Sequence, residues 1–244
     1  ETVNAGCVFW SKDYEQYARK RDKRISQSLE TLNIKSSQVK SQCIFEEFEV
    51  LTNEGNPYTV FTPYKKKWLA NFSNLNNPWA DYSNKQLGKC VVKIDYINKM
   101  PAIEELGFSS ESKQINMQFG SEGAKNLLDD FFKVIKHYDD SRNFPAKKGV
   151  SYLSTHFRFG TISVKKVVHL VFTKIQEFKQ NGIGTEGMQS WLSELIWRDF
   201  YMQILFHFPH VETGCFKRKY DKLNWDINDD LFFKWAEGKT GYPI

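Results

Sequence analysis

The chain has 244 residues, enough for one large domain or two small ones, and aromatics make up 16% of it, with 20 Phe, 11 Tyr and 7 Trp. Its net charge of +5 permits a polyanionic partner without requiring one. Four scattered cysteines (Cys7, Cys43, Cys90, Cys215), no Cys/His cluster, no apolar run near the roughly 18 residues of a membrane span and no signal-peptide pattern argue against a disulfide scaffold, structural zinc and an anchor.

We therefore expect a reduced cytoplasmic protein, metal-free and monomeric. The chain opens on Glu1 without Met, almost directly on an apolar run, and stops at Ile244 just after a turn. Both ends are expected to be cuts inside a larger fold.

Cys7-Val8-Phe9-Trp10 predicts a buried strand. Asp13 is placed to cap a helix running through Leu32, with Tyr17, Ile25, Leu29 and Leu32 inward and Arg19, Lys20, Arg21, Lys23 and Arg24 on a solvated face. Gln42-Cys43-Ile44-Phe45 predicts a second strand, so strand, helix, strand suggests half of a parallel α/β unit. Pro57 and Pro63 argue against a helix over Asn56–Tyr64, leaving an aromatic loop anchored with Trp68. Asn71–Asn84 is rich in Asn, Ser and Pro, Val91–Ile94 is a short extended run, and Pro101–Ser112 suits turns. Together they suggest an interdomain crossing.

A helix is predicted over Gly123–Tyr138, with Leu127, Leu128, Phe131, Phe132 and Ile135 at helical spacing. The loop Lys147–Ser154 offers Lys147, Lys148, Gly149, Ser151 and Ser154, donors suited to a diphosphate or simply to starting a helix. Ser163 caps a helix with an apolar stripe from Val164 to Phe178.

Glu186–Phe208 has no proline and no glycine after its second residue, and Pro209 stops it, which predicts one long, mostly buried helix. At about 100° per residue, Trp191, Glu194, Arg198 and Tyr201 share a stripe, with Trp197 to one side. Glu194 and Arg198 then need each other or a polar ligand. Lys217–Lys222 is a basic patch, and Trp235–Ile244 ends in a glycine-rich turn.

Four of these stretches, Pro57–Trp68, Tyr138–Ser163, W-L-S-E-L-I-W-R-D-F-Y over Trp191–Tyr201, and W-A-E-G-K-T-G-Y-P-I over Trp235–Ile244, occur in the order found in the photolyase/cryptochrome flavoproteins. The chain closely resembles that family, above all its bacterial cyclobutane pyrimidine dimer photolyases. The resemblance implies an α/β antenna-type domain (1–70), a linker (71–122) and an all-α FAD-binding domain (123–244).

It also implies light-driven repair of dimer-containing DNA by reduced FAD. Tyr138, Val150, Ser151, Tyr152, Leu153, Ser154, Trp191 and Arg198 would hold the flavin nucleotide. Arg142, Glu194, Trp197, Arg198 and Tyr201 would meet the DNA, with Glu194 reading the lesion and Trp197 stacking on it as the catalytic pair. Val150 replaces a common Thr, and Tyr17-Ala18 stand where some relatives place Asn-Glu on a folate, so the antenna chromophore stays open. The 244 residues alone are expected to hold flavin weakly or not at all and to repair nothing. A cryptochrome photoreceptor, a (6-4) photolyase and a flavin-free helical interaction domain are the alternatives.

Overall fold

A computed structural model describes residues 5–75, 101–108 and 118–242. Val91–Ile94, most of the predicted linker, and Cys90 lie outside the described residues. The contacts divide the chain into two compact units, Glu1–His207 and Phe208–Ile244.

The first unit opens on a parallel strand pair, β1 (Cys7–Ser11) and β2 (Lys35–Val39), joined by helix α1 (Gln16–Thr31). Cys7 pairs with Lys35 and Ser11 with Val39. Strand, helix, strand is the predicted order, but the second strand is Lys-Ser-Ser-Gln-Val and not Gln42–Phe45. The Cys43-Ile44-Phe45 run is buried as predicted, yet the backbone N–H groups of Ile44 and Phe45 donate to the Asp199 carboxylate instead of a ladder.

The inward side of α1 also differs from expectation. Ala18 and Asp22 are buried, whereas Tyr17, Ile25 and Leu32 are exposed. Asp22 is held there by Arg21 Nη2 at 2.7 Å and by Gln38 Nε2 at 3.0 Å from β2, a tie that selects this face. The cap is not as predicted either: Glu15 precedes the helix, and Asp13 accepts from Tyr14 N instead. The predicted basic face is largely solvated. Asn33 takes the left-handed conformation (φ 56°), which Asn tolerates, and ends the helix.

Helix α2 (Phe61–Ser73) corrects the loop predicted there. Pro63 sits in its first turn, where a proline costs no hydrogen bond because that N–H has no intrahelical acceptor. Tyr64, Trp68 and Phe72 recur every fourth residue and are buried.

Helix α3 (Gly120–Val134) starts three residues earlier than predicted and passes through a 3-10 turn (Ile135–His137) into α4 (Tyr138–Ser141). Leu128, Phe131 and Ile135 are buried, and Leu127 and Phe132 half-buried. Helix α5 (Ser154–Phe159) ends on left-handed Gly160, and α6 (Val164–Gln180) begins at Ser163, whose Oγ accepts from Lys166 N as predicted.

Helix α7 (Glu186–His207) is the predicted long helix, one residue shorter. It packs against α2, α4, α6 and the 3-10 turn, so apolar residues cover most of its circumference. Its entry needs Gly187: a Cβ there would lie 2.4 Å from the Ile135 carbonyl oxygen and 2.6 Å from Lys136 C. Gly187→Ala gains up to about 1 kcal/mol of helix propensity, but backbone must shift, which typically costs about 1–3 kcal/mol. We expect net destabilisation, read as a melting temperature lowered by about 2–4 °C per kcal/mol. An unchanged or higher value would show that the contact yields freely.

The second unit holds 3-10 turns at Pro209–Glu212 and Arg218–Tyr220 and helix α8 (Asp229–Ala236), capped by Asn228 Oδ1 accepting from Leu231 N at 3.0 Å. In the predicted basic patch, Arg218 pairs with Asp221 at 3.2 Å. Gly238 and Gly241 are left-handed after α8, as the glycine-rich turn requires. The chain thus combines α/β and all-α architecture, the predicted class. No helix of the described residues is long and apolar enough to cross a membrane.

Candidate functional site

Two clusters meet along α7. In the first, Glu194 does not pair with Arg198, the internal partner considered from spacing. It pairs with Arg142, just beyond α4, through Oε1 and Nη1 at 2.5 Å. The Arg142 guanidinium also lies 5.3 Å from the ring of buried Tyr138, and the bond to Glu194 raises its already high pKa. Burial likewise raises the Tyr138 phenol.

Phe131 stands edge-on to Tyr138 (5.7 Å, 90°) and 4.8 Å from Trp191. Its side also lines a cavity of about 270 Å³ with Lys133, Lys148, Val150, Ser151 and Tyr152. Tyr138, Arg142, Trp191 and Glu194 are therefore brought together, with the loop at 148–152 next door.

Several features shape that loop. A Cβ on Gly149 would lie 2.4 Å from Ser141 Oγ, so the loop closes tightly over α4. Tyr152 is left-handed (φ 55°) and exposed, while Leu153 is fully buried. Ser151 Oγ accepts from Leu153 N at 3.4 Å. Ser154 is exposed at the start of α5, away from the cavity lining.

The second cluster is aromatic. Trp197 stacks on Phe61 with ring centres 3.6 Å apart and planes 7° from parallel, and on Tyr201 at 5.4 Å and 19°. Phe200 meets Phe61 and Trp197 edge-on. Tyr201 is 61% exposed, so the cluster reaches solvent.

Arg198 also stands apart from the first cluster. Its Nη1 donates to the Gln42 carbonyl, 3.7 Å separates it from Met202 Sδ, and it lines a different cavity of about 380 Å³ with Ser11, Ser41, Arg158 and Ser163. Burial lowers its pKa.

Asp199 escaped the sequence reading. Around α7 it lies between the Leu195 and Ile196 positions, on an apolar side, and is buried. One oxygen, Oδ2, accepts from Ile44 N (3.0 Å), Phe45 N (3.2 Å) and Trp68 Nε1 (3.0 Å), and Oδ1 has no hydrogen-bond partner among the described residues. Burial pushes its pKa from 3.8 up to about 6, against the three donors and Arg198. Cys43 and Tyr64 also face it, and burial pushes the Cys43 thiol up to about 12 and raises the Tyr64 phenol too. A lone carboxylate amid aliphatic helix positions was the available signal.

A carboxyl whose pKa is raised by folding stabilises the fold when protonated, and that contribution is lost as pH rises through about 6. The displacement corresponds to about 3 kcal/mol. Asp199→Asn, which cannot titrate, is therefore expected to be more stable than wild type at pH 7.5 and to lose most of that advantage near pH 4.5. Urea midpoints at the two pH values check this; a variant weaker at both would contradict it.

The family model described as DNA photolyase matches residues 1–82, and that described as FAD binding domain of DNA photolyase matches residues 191–244. Together they span more than half of the chain. Curated proteins named deoxyribodipyrimidine photo-lyase from Synechococcus sp. and Vibrio cholerae are each 30% identical over 251 residues, covering 100% of this chain and 51% of theirs.

Among solved structures, a bacterial class III photolyase from Agrobacterium tumefaciens matches with TM-score 0.81 and 25% identity, covering 98% of this chain and 48% of its own. A Synechocystis cryptochrome shares the fold at TM-score 0.76 and 16% identity, over 99% of this chain and 50% of its own. The chain spans about half the length of the curated relatives it matches. The fold, the two family models and these relatives agree, and the chain belongs to the photolyase/cryptochrome flavoprotein family.

Proposed function

We propose that the whole protein carrying this chain is a deoxyribodipyrimidine photolyase, which splits cyclobutane pyrimidine dimers in DNA under blue light. The observation that carries this reading is the Arg142–Glu194 pair beside the Trp197–Tyr201 aromatics on one helix, a polar reader next to a stacking surface. A flipped-out dimer needs both, and being poorly stacked it costs less to extrude than a normal base.

The residues present fit the phosphate end of FAD. The cavity at 148–152 offers Lys148, Ser151 and Lys133, and the close approach of Gly149 to Ser141 holds the loop against α4. Asp130 in the same lining is neutralised by Lys133 at 2.7 Å. In this assignment Val150, Ser151 and Tyr152 line the phosphate cavity, the rest of the loop, Leu153 and Ser154, leads from it into α5, and Tyr138 and Trp191 flank the nucleotide. Arg198, one turn beyond Glu194 on the same stripe of α7, supplies positive charge from the neighbouring cavity. When bound, reduced FAD supplies the light-excited electron that opens the dimer ring.

The chain's own residues bind, orient and exclude water. Glu194 accepts hydrogen bonds from the flipped bases, Trp197 and Tyr201 stack, and Arg142 meets a backbone phosphate. Residues 1–70 form the antenna-type part, 71–122 the linker and 123–244 the flavin and DNA part. We place the protein in the cytoplasm as a monomer.

The test mixes the whole reduced protein with a thymine-dimer oligonucleotide, in blue light and in darkness. Repair in the light alone supports the proposal. Bound flavin with no repair in either condition would replace it with the cryptochrome reading, whose fold the chain shares.

A further inference from the structure

The Asp199 carboxylate has no place in the site as assigned, yet it joins three segments at one point. Its Oδ2 takes two backbone donors from the 43–45 loop and the indole N–H of Trp68 on α2, while its own backbone belongs to α7. Helix α2 begins at Phe61, and Phe61 is the ring laid flat on Trp197. Trp68 lies seven residues, about two turns, along the same helix, so fixing Trp68 fixes the height and roll of Phe61 over α7.

We propose that Asp199 is a positioning residue: through Trp68 and α2 it holds Phe61 against Trp197 and so sets the aromatic platform for the base. This rests on the reading of Trp197 as the lesion platform. It adds an element that reading lacked, namely that Phe61 forms part of the platform and is held from a point it does not touch.

The geometry argues against a generic packing role. An aliphatic residue would fill the volume, but would leave three buried donors unmade at one spot. A carboxamide would keep an acceptor at the Oδ2 position and place its NH₂ where Oδ1 now lacks a partner. Asn should thus preserve the platform and Leu should not.

The experiment is a cycle with Asp199→Leu, Asp199→Asn, Phe61→Leu and the double variant Asp199→Leu/Phe61→Leu, made in the whole protein. The near-UV circular dichroism of the stacked rings is read without DNA. Affinity for dimer-containing over undamaged oligonucleotide is read in darkness. Asp199→Leu is expected to lose the stacking signal and about tenfold in lesion affinity, the cost of unmade buried donors. Phe61→Leu should lose a similar amount and the double variant no more than either alone, with Asp199→Asn close to wild type.

Fully additive losses, or an Asp199→Leu variant that keeps both signals, would overturn the proposal. If Asp199→Leu does not fold, Trp68→Phe removes the indole donor together with part of the ring and must reproduce the loss; a silent Trp68→Phe would overturn it equally. A wild-type protein that does not prefer dimer-containing DNA would refute the photolyase reading. The near-UV cycle would still decide the coupling between Asp199 and Phe61.

Discussion

Glu194→Ala is expected to weaken binding of dimer-containing DNA and to lower repair per absorbed photon by about ten- to a hundredfold, the worth of one or two hydrogen bonds to a charged group. Binding to undamaged DNA should change far less, because phosphate contacts rather than base contacts supply it. The folded state should hardly notice. The pair with Arg142 is more than one-third exposed at both side chains, and such pairs contribute about 0–1 kcal/mol. A Glu194→Ala protein with unchanged lesion affinity and unchanged yield would remove Glu194 from the site. One that binds all DNA equally poorly would move the effect to Arg142, released from its partner.

Trp68→Ala is expected to be the most damaging change to stability, costing about 3–5 kcal/mol as large-to-small core substitutions do. Trp68 is fully buried, stacks on Phe72 at 5.0 Å and meets Phe45 edge-on at 5.4 Å. Its loss also removes one of the three donors on Asp199. Against a typical total stability of about 5–15 kcal/mol, the variant should unfold at much lower urea or fail to accumulate. Trp197→Ala makes the contrast: that ring is only half-buried, so it should cost much less in urea and much more in lesion binding. A Trp197→Ala protein as unstable in urea as Trp68→Ala would place Trp197 in the core and not on an open platform.

Most of this framework was legible in the sequence where local rules act without competition. The long helix α7 followed from an uninterrupted run of helix formers with Pro209 behind it, and α6 from Ser163 and a regular apolar stripe. The misreadings came where tertiary context overrides pattern. β2 is polar and mostly exposed, so alternation could not reveal it, while the apolar Cys43–Phe45 run is buried through bonds to a side chain 154 or 155 residues away. Helix α2 was missed because a proline was read as a breaker when it sat in a first turn.

Residue type and family pattern named the candidate site residues but not their partners. Glu194 bonds across to Arg142 and not down its own helix, Arg198 turns to the Gln42 carbonyl, and Phe61 joins Trp197 from another element. None of these pairings has a sequence spacing that helical geometry would single out.

Phe131 is one ring with two neighbourhoods: its side lines the cavity at the 148–152 loop, and it also touches Tyr138 and Trp191. The ring is therefore both a wall of the cavity and a member of a packed aromatic group, and the two roles are not independent. A smaller side chain there would widen the cavity and at the same time strip a contact from Tyr138 and Trp191. Any change in the width of the cavity at this position must be answered by repacking behind it, so wall and backing can be altered only in step.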